Sequence, residues 1–257
     1  KYKAAMKVGA FSNLVRSADC DFDSTTSGLT LTEKVLTPTE LQVNLQICKK
    51  ELHSDWEAAQ MGFSAFDNLP PLFSDFVIAR VAAEVAQATE NSIWGGAAAE
   101  GNFDGFKTIM QADGDVVDVT GQSVTAANVI AELTKIIDAI PAAVYGSDDL
   151  VLYVSTTFAK CYIQAQATLG YANLYNAGTT EMNFQGIPMF VTPGLQTNNA
   201  VAARKSNLYF GTGLLNDRNE VKVIDMADID GSQNVRVVMR YTAGVQIGVG
   251  ADIVLYS

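Results

Sequence analysis

The chain has 257 residues, 48% hydrophobic and 18% charged, which supports a sizeable core in one large domain or two modest ones. That composition excludes a disordered chain, and no apolar run reaches the roughly 18 residues of a membrane-spanning helix. A net charge of −11 argues against a general nucleic-acid binder, because neutralising phosphates takes clustered Lys and Arg.

The first residues carry neither the apolar run nor the cleavage site of a secretory signal, and the chain opens on Lys1. A processed or truncated N-terminus is therefore expected. Lys1, Lys3, Lys7 and Arg16 precede Asp19, Asp21 and Asp23, a polarity that fits either a solvated surface or an arm meeting an acidic neighbour. Tyr2 to Phe11 reads as a strand, followed by a polar tip, Asp21-Phe22-Asp23-Ser24-Thr25-Thr26-Ser27-Gly28. From Leu29 to Ile47 polar and apolar residues alternate, with Thr30, Thr32, Gln42, Asn44 and Gln46 against Leu31, Leu41, Val43, Leu45 and Ile47. Strand, tip and strand make a long hairpin. A strand run of this length cannot cover its own apolar face and needs a large sheet or another subunit.

A short helix is expected over 51–66, with Leu52, Trp56 and Ala59 on one face, broken by Asn68-Leu69-Pro70-Pro71. Pro71 suits the first turn of a long helix to Trp94, whose stripe is Phe73, Val77, Val81, Val85, Ala88 and Ser92. Its other face carries Arg80, Glu84, Gln87 and Glu90, and about 24 residues at 1.5 Å each make a strut of about 36 Å. Gly95-Gly96-Ala97 reads as a helix C-cap and flexible connection.

Beyond Gly105 the pattern becomes α/β. Phe106 to Met110 and Val116 to Val119 flank Asp113-Gly114, a hairpin signal. Thr125 is placed to cap a helix striped by Val129, Ile130, Leu133, Ile136, Ile137 and Ile140, and Pro141 ends it. Leu150 to Val154 is an apolar strand, and Ser155 opens a helix with Phe158, Cys161, Tyr162 and Ala165 inward. Gly186 to Val191, Asn207 to Phe210, Val223-Ile224, Val235 to Tyr241 and Val245 to Tyr256 read as further strands. No internal repeat or heptad register is present.

Catalytic and metal signatures are weak throughout. His53, the one histidine, sits among Lys50, Glu51 and Asp55 without a nucleophile motif, and reads as a surface or interface residue. Gly95-Gly96 follows a helix instead of opening one, and Gly211-Thr212-Gly213 lacks a third glycine, so neither cradles a phosphate. Asp113, Asp115 and Asp118 lack the closing glutamate of a calcium loop, and Asp225, Asp228 and Asp230-Gly231 read as a hairpin connection. Cys20, Cys48 and Cys161 are widely spaced, without CxxC, which points to a reducing compartment and away from zinc. Trp56 and Trp94 read as packing anchors. No enzyme activity, cofactor or metal is expected.

The order of parts is more specific than any motif. A long hairpin leads into Glu33-Lys34-Val35-Leu36-Thr37-Pro38, then a strut helix ending Glu90-Asn91-Ser92-Ile93-Trp94-Gly95-Gly96, an α/β unit, Asn207-Leu208-Tyr209-Phe210-Gly211-Thr212 and a strand-rich tail. This resembles the HK97-fold major capsid proteins of tailed double-stranded DNA bacteriophages, over essentially the whole chain. The resemblance implies an α+β fold with residues 1–5 the remnant of an N-terminal arm, an E-loop over 6–45 and a P-domain with the spine helix over 46–105. An A-domain would follow over 106–244, with 245–257 returning to the P-domain.

The function so implied is structural. Pentamers and hexamers of the chain would form an icosahedral shell around double-stranded DNA held non-specifically. Portal, scaffold and decoration proteins would be its other partners, and assembly would take place in the host bacterial cytoplasm with no membrane involved. One branch of the family joins subunits by an isopeptide bond, and Lys34 and Asn234 stand at positions similar to its lysine and asparagine. That branch also needs a carboxylate seven residues past the asparagine. Tyr241 stands there, so the lysine lacks its base and reads as a salt-bridging residue at a subunit contact. An encapsulin-like compartment is the alternative, and an α/β enzyme or ligand-binding domain over 106–220 a more distant one.

Overall fold

The computed structural model describes residues 3–11, 15, 17, 20, 29–48, 71–99, 101–170, 182–213 and 220–257. The hairpin tip at 21–28 and the helix expected over 51–66, with His53 and Trp56, lie outside them.

β1 (Ala4–Phe11) and β2 (Leu29–Leu36) form the expected antiparallel ribbon, with Ala4 opposite Leu36 and Ala10 opposite Thr30. Thr37-Pro38 ends it, at a point where a residue without an N–H leaves no donor unpaired. β3 (Thr39–Cys48) then enters a second sheet, where it pairs with one edge of a 14-residue strand, Asn234–Ile247. The long helix α1 (Pro71–Gly95) lies against that sheet. Val77 and Val81, one turn apart, pack on Val237 with Val43, Ile47, Val221 and Val223 around them. Ala88, expected on the same stripe, is exposed. At its far end the helix delivers Trp94, 6% exposed, into the body of the molecule, 5.4 Å from the Phe106 ring and 5.0 Å from Tyr153.

That body is built on α2 (Phe106–Ala112), β4 (Val117–Val119), α3 (Val129–Asp138), β5 (Leu150–Val154), α4 (Thr156–Thr168), β6 (Asn183–Phe184), β7 (Ile187–Val191) and β8 (Ala200–Arg204). After them come β9 (Leu208–Gly211), β10 (Val221–Asp225), α5 (Ala227–Asp230), β11 (Asn234–Ile247) and β12 (Val254–Tyr256). A six-stranded mixed sheet runs β4-β12-β8-β5-β7-β6, parallel at β12/β4 and β5/β7. Both faces are covered, and alternate residues serve opposite cores. Leu152, Val154, Ala202 and Val254 meet Leu133, Ile136 and Phe158 from α3 and α4. Val201, Ala203 and Leu255 meet Trp94, Phe106 and Met110 on the other side.

One carboxylate lies in the first core. Glu132 is 3% exposed and accepts hydrogen bonds from the Tyr256 hydroxyl at 2.8 Å and from Lys135 Nζ at 2.8 Å. Burial pushes its pKa up, but the bonds from Lys135 and Tyr256 outweigh that and hold it below the ordinary range. Burial, joined by the Glu132 charge, raises Tyr256 to about 12.

The structure corrects several expectations. Phe106 to Met110 is helix α2, not one arm of an Asp-Gly hairpin. A short apolar run fits either form, and here Phe106 and Met110, four apart, are both buried on one helical face. Thr125 does not cap α3 through its side chain. The helix starts at Val129, and the preceding turn is closed by Asn128 Oδ1, which accepts from Thr125 N–H at 2.7 Å. Val245 to Tyr256 is two elements: Val245–Ile247 continue β11, and Val254–Tyr256 form β12 in the six-stranded sheet. β8 has no counterpart among the expected strands, since Ala200-Val201-Ala202-Ala203 favours helix by propensity. Its small side chains let a strand be covered on both sides.

The expected flexible connection after α1 is instead a packed corner. Gly96 N–H donates to the Ser92 carbonyl at 3.1 Å, and its own carbonyl accepts from Gly105 N–H at 2.9 Å and Thr108 Oγ1 at 2.5 Å. A Cβ on Gly96 would lie 2.3 Å from the Phe103 carbonyl oxygen and 2.5 Å from that of Ser92. Both are backbone atoms, with little freedom to retreat. Gly96→Ala is expected to destabilise the chain by about 3 kcal/mol, the upper range for overpacking, read as a lowered urea midpoint. A midpoint equal to wild type would show that the corner can yield.

Candidate assembly surface

In the described residues the ribbon's two strands pair only with each other. A lone two-stranded ribbon is marginal in water. Register puts Ala5, Lys7 and Gly9 beside Val35, Glu33 and Leu31 on one face, and Met6 and Val8 beside Lys34 and Thr32 on the other. On the first face Leu31 is 62% and Val35 39% exposed. Among the described residues these large apolar groups are left partly or mostly uncovered.

The ribbon's root, by contrast, is tied down. Leu36, 5% exposed, packs so closely on Gly211 of β9 that a Cβ there would lie 2.3 Å from a Leu36 methyl. Pro38 passes over Gly244 of β11, where a Cβ would lie 3.0 Å from its Cα. Gln246 Nε2 donates to the Val35 carbonyl at 3.3 Å. Lys34 forms an ion pair with Asp113, at the end of α2. A cleft of about 420 Å³ opens beside this pair, lined by Lys34, Asp104, Thr108, Asp113 and Gln246. Burial raises the Asp113 pKa. The bonds from Lys34 and from the Asp115 N–H, with the Lys34 charge, lower it by more, so it titrates below the ordinary carboxylate range.

Lys34 and Asn234 do not meet within the chain. Asn234 stands opposite Cys48 at one end of the β3–β11 ladder, and Ala243 opposite Thr39 at the end nearer the ribbon. Nine residues separate Asn234 from Ala243, about 30 Å at about 3.4 Å each. Tyr241 stands opposite Leu41 on the same ladder, its hydroxyl 3.3 Å from Thr89 Oγ1 of α1.

The remaining sequence candidates take structural positions. Gly211 and Gly213 serve close packing, the latter with its N–H 2.5 Å from Thr242 Oγ1. Asp225 to Gly231 connect β10 to β11, with Asp230 accepting from the Ser232 N–H at 2.9 Å. Cys161 lies 3.6 Å from the Val124 carbonyl, and burial raises its thiol pKa. Among the described residues no cluster of His, Cys, Asp and Glu could hold a metal, and no helix is long and apolar enough to cross a membrane. Asp113 and Gln246 were invisible as partners of the ribbon in the sequence. They lie 79 and 211 residues from their contacts, and only the tertiary fold brings them there.

No family model matches the chain, and no curated protein matches its sequence. Solved structures do match across its whole length. The capsid of a native GTA particle superposes with a TM-score of 0.69 at 14% identity, covering 99% of this chain and 84% of that one. A structure from Gordonia phage Cozz gives 0.63 at 12%, covering 98% and 80%. The chain has the HK97-like capsid fold. A virus-like particle from Pyrococcus furiosus matches with a TM-score of 0.51 at 11% identity, covering 98% and 86%.

The lowered Asp113 pKa fixes the sign of its pH dependence. Its contribution to stability is complete above the ordinary value near 3.8 and is lost as pH falls through the lower folded-state value. Lys34, Asp104 and Asp115 are the charged groups around it. A carboxyl carbon-13 titration of the unassembled chain should place the Asp113 inflection below 3.8, and Lys34→Met should move it upward. An inflection at or above that value in the wild type would contradict the ion pair.

Proposed function

We propose that this chain is a capsid shell protein whose copies assemble as pentamers and hexamers into an icosahedral shell around double-stranded DNA. The ribbon carries this reading: Leu31 and Val35 lie open on a two-stranded element that pairs with nothing else described. Burying such side chains against a neighbouring copy is worth roughly 1.5–3 kcal/mol each, and it removes the liability of a bare strand edge. The HK97-like fold supports the same reading, since the GTA structure it matches is a capsid.

In these terms residues 6–45 act as the E-loop, 46–105 as the P-domain with α1 as spine, and 106–244 as the A-domain, from which β10 and Asn234–Ala243 of β11 extend into the sheet of β3 and α1. Residues 245–257 are the proposed return to the P-domain, and their strand Val254–Tyr256 pairs within the six-stranded sheet, which favours counting that strand with the A-domain. The role is structural, not enzymatic. The acidity of the chain suits a shell that must not grip its DNA, and portal, scaffold and decoration proteins are the further partners. Assembly takes place in the host bacterial cytoplasm and the product is the virion capsid. An encapsulin-like compartment is the second reading, favoured by the likeness to the Pyrococcus furiosus particle. Cargo separates them: nuclease-protected double-stranded DNA in purified particles supports the phage shell, and packaged enzyme supports the compartment.

Negative-stain microscopy of the expressed protein should show closed shells. Leu31→Asp should abolish them while leaving the far-UV circular dichroism unchanged, and shells of normal yield from that variant would remove the ribbon from assembly. With Tyr241 in place of a base, boiled shells should run in denaturing gels at the mass of a single chain. A ladder of multiples would establish a covalent bond and restore Lys34 and Asn234 as its candidates.

A further inference from the structure

Three of the ribbon's ties to the body are short-range packing or a neutral hydrogen bond: Leu36 on Gly211, Pro38 on Gly244, and Gln246 to the Val35 carbonyl. The fourth, Lys34 to Asp113, differs in kind. It is charged on both sides, and of the four it alone joins the ribbon to the end of α2. The other three reach β9 and β11.

Asp113 is held from several directions. Its Oδ1 accepts from the Asp115 N–H at 3.1 Å, in the turn that ends α2. Gly250 stands against the carboxylate so closely that a Cβ there would lie 3.0 Å from Oδ2. A rigid acid thus meets the flexible four-carbon stem of Lys34. Asp104, the other acid lining the cleft, is engaged elsewhere: its Oδ1 accepts from the Ala98 N–H at 2.8 Å. The Asp113 carboxylate is thus aimed at β2 from a side of the body separate from the packing contacts at Gly211 and Gly244.

We infer that Asp113 is the positioning residue of the ribbon: through Lys34 it sets the direction in which β1 and β2 leave the body. Asp113 itself needs no contact with a neighbouring copy. It acts on assembly only by holding the ribbon where a neighbour can meet it, a consequence that rests on the shell reading above.

The test uses the full chain before assembly, with two readouts on Asp113→Asn. The first is the rate at which an N-hydroxysuccinimide acetate labels the Lys34 amine, followed by peptide mass spectrometry. The second is hydrogen exchange of the amides from Glu33 to Leu36. Both should accelerate by about fivefold, the factor equivalent to about 1 kcal/mol for an ion pair of this exposure. Exchange in β5 and α3 should stay at wild-type rates, which separates a loosened root from a misfolded chain. The exchanged pair, Lys34→Asp with Asp113→Lys, should return root exchange toward wild type. Unchanged labelling and exchange in Asp113→Asn would overturn the inference, as would acceleration that the exchanged pair fails to reverse. If the wild-type chain forms no shells, the shell reading falls, while these two measurements still decide the role of Asp113.

Discussion

The fourteen residues of β11 hold the molecule together. From Asn234 to Ala243 the strand pairs with β3, from Val235 to Met239 also with β10, and it offers Val237 to the long helix. From Gly244 to Ile247 it pairs with β9 and buries Val245 and Ile247 beneath the six-stranded sheet, with Trp94 in the same core. One continuous strand therefore belongs to both halves. A hydrogen-bonded strand is stiff along its length, so the helix, its sheet and the α/β unit cannot drift independently. The point where it passes from one half to the other is Gly244, and there the chain leaving the ribbon crosses it with no room for a side chain.

This arrangement explains how the ribbon can project without being loose. Among the described residues its strands have no partner sheet, and its apolar residues Leu31 and Val35 are exposed, which would be unfavourable in an isolated molecule. The root, however, is gripped by packing at Leu36 and by the ion pair at Lys34. Rigidity at the root and exposure beyond it fit the proposal that a neighbouring copy covers the arm. An arm ordered in advance loses less conformational entropy when it is covered.

Much of this was legible in the residues. The alternation from Leu41 to Ile47 became β3, with Leu41, Val43 and Ile47 turned toward the cores and Leu45 left more open. Pro71 and Trp94 bracketed the long helix to within one residue. Ser155 capped α4, its hydroxyl accepting from the Phe158 N–H at 3.5 Å. Failures came where local signals were equivocal. Phe106 to Met110 is too short for periodicity to separate helix from strand, and Ala200 to Ala203 has helical propensity in a strand context. Gly96 looked flexible because glycine permits flexibility, whereas here its lack of a Cβ permits close packing.

The sequence by itself determined that a long apolar-faced hairpin exists, that a strut helix follows it and that an α/β unit completes the chain. These are local consequences of period, caps and breakers, each read within a dozen residues. Only the tertiary structure decided where the hairpin is fastened. The partners of its root, Asp113, Gly211, Gly244 and Gln246, are 79 to 211 residues from the groups they meet in the two hydrogen-bonded cases, and no periodicity carries information over such a separation. The fold also settled that Lys34 has an acid beside it in its own chain, while Asn234 lies at the opposite end of a ladder. Local chemistry makes the arm, and long-range packing aims it.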